Sequence, residues 1–250
     1  MHIHPTPPAK VVLITGAAHR IGATIARHLH SIGMNVIVHY RDSHTAAEGL
    51  QRELLAQRPD SVYLIQGDLL DTPGLATLIH KAHQWQGRLD VLINNASSFY
   101  TTPVADVNES QWDDLLGSNL KAPFFLAQAA SPYLRRQNGC IVNIVDIHAE
   151  RPLKGYSVYS IAKAGLVMLT KTLGRELAPE IRVNAIAPGA ILWPEHGASA
   201  ATRKHIIAHT ALKRQGAPHD VARAAAFLIR DAEYMTGQVL TVDGGRSLSN

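Results

Sequence analysis

Residues 10–33 read KVVLITGAAHRIGATIARHLHSIG. The run from Lys10 to Gly16 is short, apolar and ends on glycine, which predicts a buried strand closed by a turn. The stretch from Arg20 to Gly33 repeats apolar residues at helical spacing and ends on a glycine suited to a C-cap. Between them lies TGAAHRIG, residues 15–22. Glycine at 16 permits a tight turn, and glycine at 22 permits close packing of helix on sheet. The helix that follows aims unpaired N–H groups and a positive dipole end at this turn, so an anion is the expected guest.

The same alternation continues outward. NVIVHY (35–40), SVYLIQGD (61–68), LDVLINNA (89–96), CIVNIVD (140–146), IRVNAIAPG (181–189) and QVLTVDGG (238–245) read as further strands. Helical patterns separate them: residues 44–60 ending before Pro59, 72–87, a long region from 109 to 139 that Pro123 and Pro132 should kink or break, 156–178, and 218–231. Strands apolar on both faces that alternate with helices predict an α/β fold, a doubly wound, mostly parallel seven-stranded sheet covered on both sides. No repeat or linker interrupts it, so residues 1–250 are expected to form a single domain, with a flexible tail at 1–9.

Composition narrows the function classes. Of 250 residues, 46% are hydrophobic and 18% charged, which fits a soluble protein with a large core. A net charge of +4, scattered along the chain, is too small and diffuse for nucleic acid but suits a phosphate-bearing ligand. No apolar run reaches the ~18 residues of a membrane span. A lone cysteine, Cys140, excludes an internal disulfide and fits a reducing cytoplasm. Because it opens an apolar strand, a buried thiol is expected.

Two places carry the chemistry. Tyr159 and Lys163 stand at i and i+4 of a predicted helix, which sets a phenol beside an ammonium. A phenol with an ordinary pKa near ~10 needs such a neighbour to exchange protons near neutrality. At the end of the second strand, HYRDSH puts Tyr40 where an acid would select an unphosphorylated ribose, followed by Arg41 and Ser43. With Arg20 nearby, this favours NADPH over NADH; Asp42 opposes the phosphate.

In order and spacing, these motifs resemble the short-chain dehydrogenase/reductase family: TG…G at 15–22, Asp68, NNA at 94–96, Asn119, YSIAK at 159–163, PG at 188–189 and VDGG at 242–245. The resemblance covers residues 10–245 and implies a Rossmann-type fold. It implies that Tyr159 donates a proton, that Lys163 binds the nicotinamide ribose and lowers the tyrosine pKa, and that Asn119 holds a relay water. Asp68 would contact adenine, Asn95 and Ala96 would line the cofactor path, and Gly16, Ile21, Leu69, Pro188 and Gly189 would join in binding the cofactor. It also implies a homotetramer, built through the Tyr159 helix, the long helix before it, and the C-terminal strand.

Two departures point to a subgroup. Arg20 replaces the middle glycine of the first turn, and Asp146 stands thirteen residues before Tyr159, where the family usually has serine. With NNASSFY at 94–100, these features look like the pteridine reductases. The likeness implies that Phe99 stacks on a pterin, that Ser97 contacts cofactor and substrate, and that Arg20 reaches both phosphate and pterin. Proton delivery to a dihydropterin, or to dihydrofolate if it is used, would then involve Asp146, Tyr159 and ordered water; with an oxidised pterin, Asp146 and Tyr159 would protonate a ring nitrogen in that earlier step. The alternative is a family member reducing a carbonyl such as a 3-oxoacyl thioester. The stretch 190–216 is expected to form a substrate lid with a short amphipathic helix carrying Ile206 and Ile207, next to Leu212. Trp193 would serve as a pocket wall or a packing residue. His205 and His209 are i,i+4 but lack a third ligand, so no metal is expected.

Overall fold

A computed structural model describes residues 8–193 and 199–248. Seven parallel strands form one sheet in the order β3-β2-β1-β4-β5-β6-β7. They are β1 (Val11–Ile14), β2 (Asn35–Tyr40), β3 (Val62–Gln66), β4 (Val91–Asn94), β5 (Cys140–Ile144), β6 (Arg182–Pro188) and β7 (Val239–Val242). The helices are α1 (Arg20–Ser31), α2 (His44–Leu55), α3 (Gly74–Gln86), α4 (Glu109–Leu116), α5 (Ala122–Arg135), α6 (Ser157–Glu176), α7 (Ala200–Ala208) and α8 (Pro218–Arg230). The expected sheet is present, and every pairing is parallel.

Side-chain alternation explains the layering, because successive strand residues point to opposite faces. Val12, Ile14, Val36 and Val38 pack with α1, α2 and α8, whereas Val11, Leu13 and Ile37 pack with α3, α5 and α6. Both faces are therefore buried, and the strands read as continuous apolar runs. Cys140 is buried at the start of β5, and burial pushes its thiol up to about 11. Strand order reverses between β1 and β4, the switch point where such sheets open a crevice at their carboxyl ends.

The long helical region departs from expectation. Its break is a π-helical turn at Gly117–Lys121, upstream of Pro123, which sits in the first turn of α5 and is tolerated there. A Cβ on Gly117 would lie 2.6 Å from Leu70 Cδ2, so glycine makes room for the turn. Pro132 lies inside α5 without ending it; the Ser131 hydroxyl donates to Gln128 O at 2.9 Å, the carbonyl that Pro132 leaves without its N–H. Helix α7 forms within the expected lid, but none of its residues is buried, and Ile206 and Ile207 are only half-covered. Leu212 lies beyond it and is exposed. The predicted tail lies outside the described residues from 1 to 7, as does 194–198 of the lid. No described helix is long and apolar enough to cross a membrane.

Candidate active site

The turn after β1 is built for close approach. Gly16 has φ 59°, and a Cβ there would lie 2.9 Å from Ala96 Cα. At Gly22 a Cβ would meet Gly16 O at 2.5 Å and Asn95 Nδ2 at 2.6 Å. Asn95 clamps the turn, its Nδ2 donating to Thr15 O (2.8 Å) and Gly16 O (3.0 Å). The Thr15 hydroxyl accepts from the N–H groups of Asn95 (2.9 Å) and Ala96 (3.0 Å). The N-cap of α1, His19, makes no side-chain capping bond, and Ile21 anchors the first helical turn on the core. A tight, glycine-lined turn ahead of an uncapped helix fits a dinucleotide pyrophosphate. Arg20 takes a left-handed backbone, at φ 53°, and its Nη2 donates to Trp193 O at 3.3 Å. Trp193 is half-buried, with the Arg203 guanidinium 5.6 Å from its ring centroid.

The end of β2 differs in detail from the reading of HYRDSH. The Tyr40 ring is buried in the core and its hydroxyl meets His44 Nδ1 at 2.8 Å, so this side chain faces inward rather than toward a ribose. Arg41 is exposed but donates to Asp42 Oδ2 at 2.7 Å, which ties the expected phosphate ligand to its acidic neighbour. Ser43 N-caps α2 with no bond from its own hydroxyl. Asp68 is exposed beside buried Leu69, and accepts the Leu70 N–H at 2.9 Å. Pro188 ends β6, and Gly189 donates to Val242 O at 3.0 Å.

Asp146 follows β5 and caps the short 3₁₀ turn Ile147–Ala149, its Oδ1 accepting His148 N–H at 2.9 Å. Its Oδ2 accepts the Tyr159 hydroxyl at 2.7 Å. Lys163, one turn along α6, is buried; its Nζ donates to Ile144 O at 3.0 Å and lies 5.6 Å from the Tyr159 ring centroid. Burial, then the adjoining Asp146 carboxylate, hold the phenol well above its ordinary value. Burial lowers the ammonium to about 8. The lowering expected from Lys163 is therefore not met in the chain alone, because burial and then the touching carboxylate both raise the phenol. Asn119 sits in the π turn, where its Nδ2 donates to Ser98 O (3.0 Å) and Leu115 O (3.0 Å), and its Oδ1 accepts from Ser97 Oγ (2.7 Å). It fixes the loop carrying Ser97 and Phe99.

Phe99 is 40% exposed, stacks on Tyr156 (4.6 Å, 15°) and meets Tyr159 edge-on (4.8 Å, 78°). An aromatic face thus opens beside the phenol and carboxylate. Residues that sequence reading missed hold it there. Tyr100 Oη donates to Asp114 Oδ2 at 2.8 Å. Thr102, fully buried, donates its N–H to Gly155 O at 2.7 Å and accepts from Ser157 Oγ at 2.7 Å. Tyr156, three residues before Tyr159, carried a signal in the YSVY spacing; Thr102 and Asp114 carried none.

Residues 16–247 match the family model described as enoyl-(acyl carrier protein) reductase. Pteridine reductase 1 of Leishmania tarentolae is 36% identical over 284 residues, covering 98% of each chain. The 3-oxoacyl-(acyl carrier protein) reductase FabG of Staphylococcus aureus is 37% identical over 240 residues, covering 94% of this chain and 97% of the relative. Fold, site and these matches define an oxidoreductase that belongs to the short-chain dehydrogenase/reductase family, whose members use NAD(P)H. Its similarity to a pteridine reductase and to a ketoacyl reductase is nearly equal.

Proposed function

We propose that this chain is an NADPH-dependent pteridine reductase that converts dihydropterins to tetrahydropterins, with oxidised pterin and dihydrofolate as related substrates. The supporting observation is Asp146, whose carboxylate lies 2.7 Å from the Tyr159 hydroxyl beside the exposed face of Phe99. A carboxylate there opposes the negative charge that develops on a carbonyl oxygen during ketone reduction. The same carboxylate complements the N–H edge of a pterin, and Phe99 offers a planar surface for its bicycle.

When bound, NADPH would supply a hydride for the carbon of the C=N bond, and the nitrogen would take a proton. Tyr159, kept protonated by burial and Asp146, holds that proton at its hydroxyl. Lys163 stands one helical turn away to bind the ribose, while Ser97, fixed by Asn119, and Arg20 orient cofactor and substrate. Gly16, Asn95, Ala96, Asp68 and Leu69 line the rest of the cofactor path. Ser43, and Arg41 once drawn away from Asp42, would receive the 2′-phosphate. We also propose a cytoplasmic homotetramer, supported by exposed Phe124 on α5 and exposed Ile161 and Met168 on α6.

Turnover of NADPH with dihydrobiopterin, dihydrofolate, biopterin and an acetoacetyl thioester separates this reading from carbonyl reduction. Asp146→Ser and Tyr159→Phe are expected to lower dihydrobiopterin turnover about 100-fold or more, the usual contribution of a positioned proton donor. Near-normal turnover in both variants, or a wild-type preference for the thioester, refutes it.

A further inference from the structure

His39, one residue before the end of β2, is 2% exposed, and both of its ring nitrogens meet main chain. Nδ1 accepts the Gly16 N–H at 3.2 Å, and Nε2 faces Gly67 O at 3.1 Å. A backbone N–H can only donate and a carbonyl can only accept. The ring is therefore neutral and protonated at Nε2, in keeping with its burial and a pKa lowered to about 4. The main chain repeats the connection: His39 O accepts Ala17 N–H at 2.9 Å, and Tyr40 O accepts Gly67 N–H at 3.1 Å. Four hydrogen bonds thus gather two loops onto one strand end. One loop is the glycine turn, and the other begins at Gly67 and leads directly to Asp68 and Leu69. Gly67 is itself confined, since a Cβ there would lie 2.8 Å from Leu78 Cδ1.

We propose that His39 is a positioning residue for dinucleotide binding, its imidazole acting as the spacer that sets the glycine turn against the Gly67–Leu69 wall. It does not touch the cofactor; it fixes the gap between the two segments that would hold pyrophosphate and adenosine. The proposal rests on the dinucleotide part of the functional reading and is independent of the pterin. It predicts an effect shared by NADPH and NADH, because both segments serve the portion common to the two. A contact at Arg41 would act on NADPH alone.

The test is calorimetric titration of the substrate-free protein with NADPH and NADH, using His39→Leu, His39→Asn and His39→Gln. Asparagine keeps an acceptor near the Nδ1 position; glutamine keeps a donor near Nε2 but offers Gly16 nothing. His39→Leu is expected to weaken both dinucleotides about 10- to 100-fold, as one orphaned buried donor implies. His39→Asn should recover most of that affinity, and KM for the dinucleotide should rise far more than kcat falls. His30→Leu removes a comparably buried ring, hydrogen-bonded to Ser61 Oγ at 2.7 Å and distant in sequence from both loops. It should lower Tm while leaving both affinities unchanged. Wild-type affinity in His39→Leu, or equal weakening in His39→Asn and His39→Leu, overturns the proposal. If the leucine variant does not fold, the amide pair decides: tight binding by asparagine and weak binding by glutamine supports the role, and equal binding overturns it. A wild-type chain that binds neither dinucleotide overturns the cofactor reading and this proposal together.

Discussion

Replacing Lys163 with methionine should remove activity and yet stabilise the fold at neutral pH. The ammonium is 2% exposed, and burial lowers it from 10.5 to about 8. At about 1.4 kcal/mol per pH decade, holding it charged costs the folded state roughly 3 kcal/mol. The sign follows from proton counting. Below pH 8 both folded and unfolded chains carry the charge, and the full penalty applies. Between pH 8 and 10.5 the unfolded chain binds a proton that the folded chain has released, so folded stability from this group rises with pH; above 10.5 the penalty is gone. Methionine fills similar volume but loses the bond to Ile144 O, worth about 1 kcal/mol for a neutral amine. The net expectation is a gain of about 2 kcal/mol at pH 7. Urea unfolding of wild type and Lys163→Met at pH 7, 8, 9 and 10, at fixed protein concentration, measures it. The two stabilities should converge as pH rises. A variant less stable than wild type at pH 7, or a difference that stays constant across the series, rules out a buried-charge penalty at Lys163.

Two other perturbations test the turn and the phosphate site. Arg20→Gly relieves a left-handed backbone at a residue with a side chain, and should raise unfolding free energy by about 1 kcal/mol while weakening NADPH and pterin binding; thermal unfolding and ligand titration read the two effects separately. Asp42→Asn weakens the 2.7 Å hold on Arg41 to a neutral hydrogen bond and removes an opposing charge. NADPH affinity should tighten roughly 3- to 10-fold at low salt, with NADH unchanged and the gain shrinking at high ionic strength; fluorescence titration in both salts reports it.

The parts of this molecule that sequence displayed are those governed by local pattern. Apolar runs bounded by glycine placed all seven strands. The i,i+4 spacing of Tyr159 and Lys163 put both on one helix face, and the carboxyl at 146 marked the site's departure from a serine-bearing pocket. What stayed hidden depends on contacts between distant segments. His39 reads as one more residue of a buried strand, and only the meeting of β1, β2 and β3 reveals what its ring joins. Tyr40 carries no mark that its hydroxyl turns to His44. The π turn has no periodicity of its own in five residues, and the prolines that mark a break in the sequence lie downstream of it. Asp42 was legible as an opposing charge, but its direct hold on Arg41 is a matter of geometry.

The turn at Gly117–Lys121 has a consequence for phase. An α-helix advances about 100° per residue, so one extra residue accommodated in a single turn offsets everything downstream by that angle relative to an unbroken helix. Asn119 lies inside the offset, held by bonds to Ser98 O and Leu115 O. Helix α5 lies beyond it and keeps its apolar face on the sheet. The wide turn thus separates two angular demands that a uniform helix would couple: the direction in which Asn119 faces the catalytic loop, and the direction in which α5 faces the core. Angular registry, as much as the identity of the side chains, is what this segment encodes.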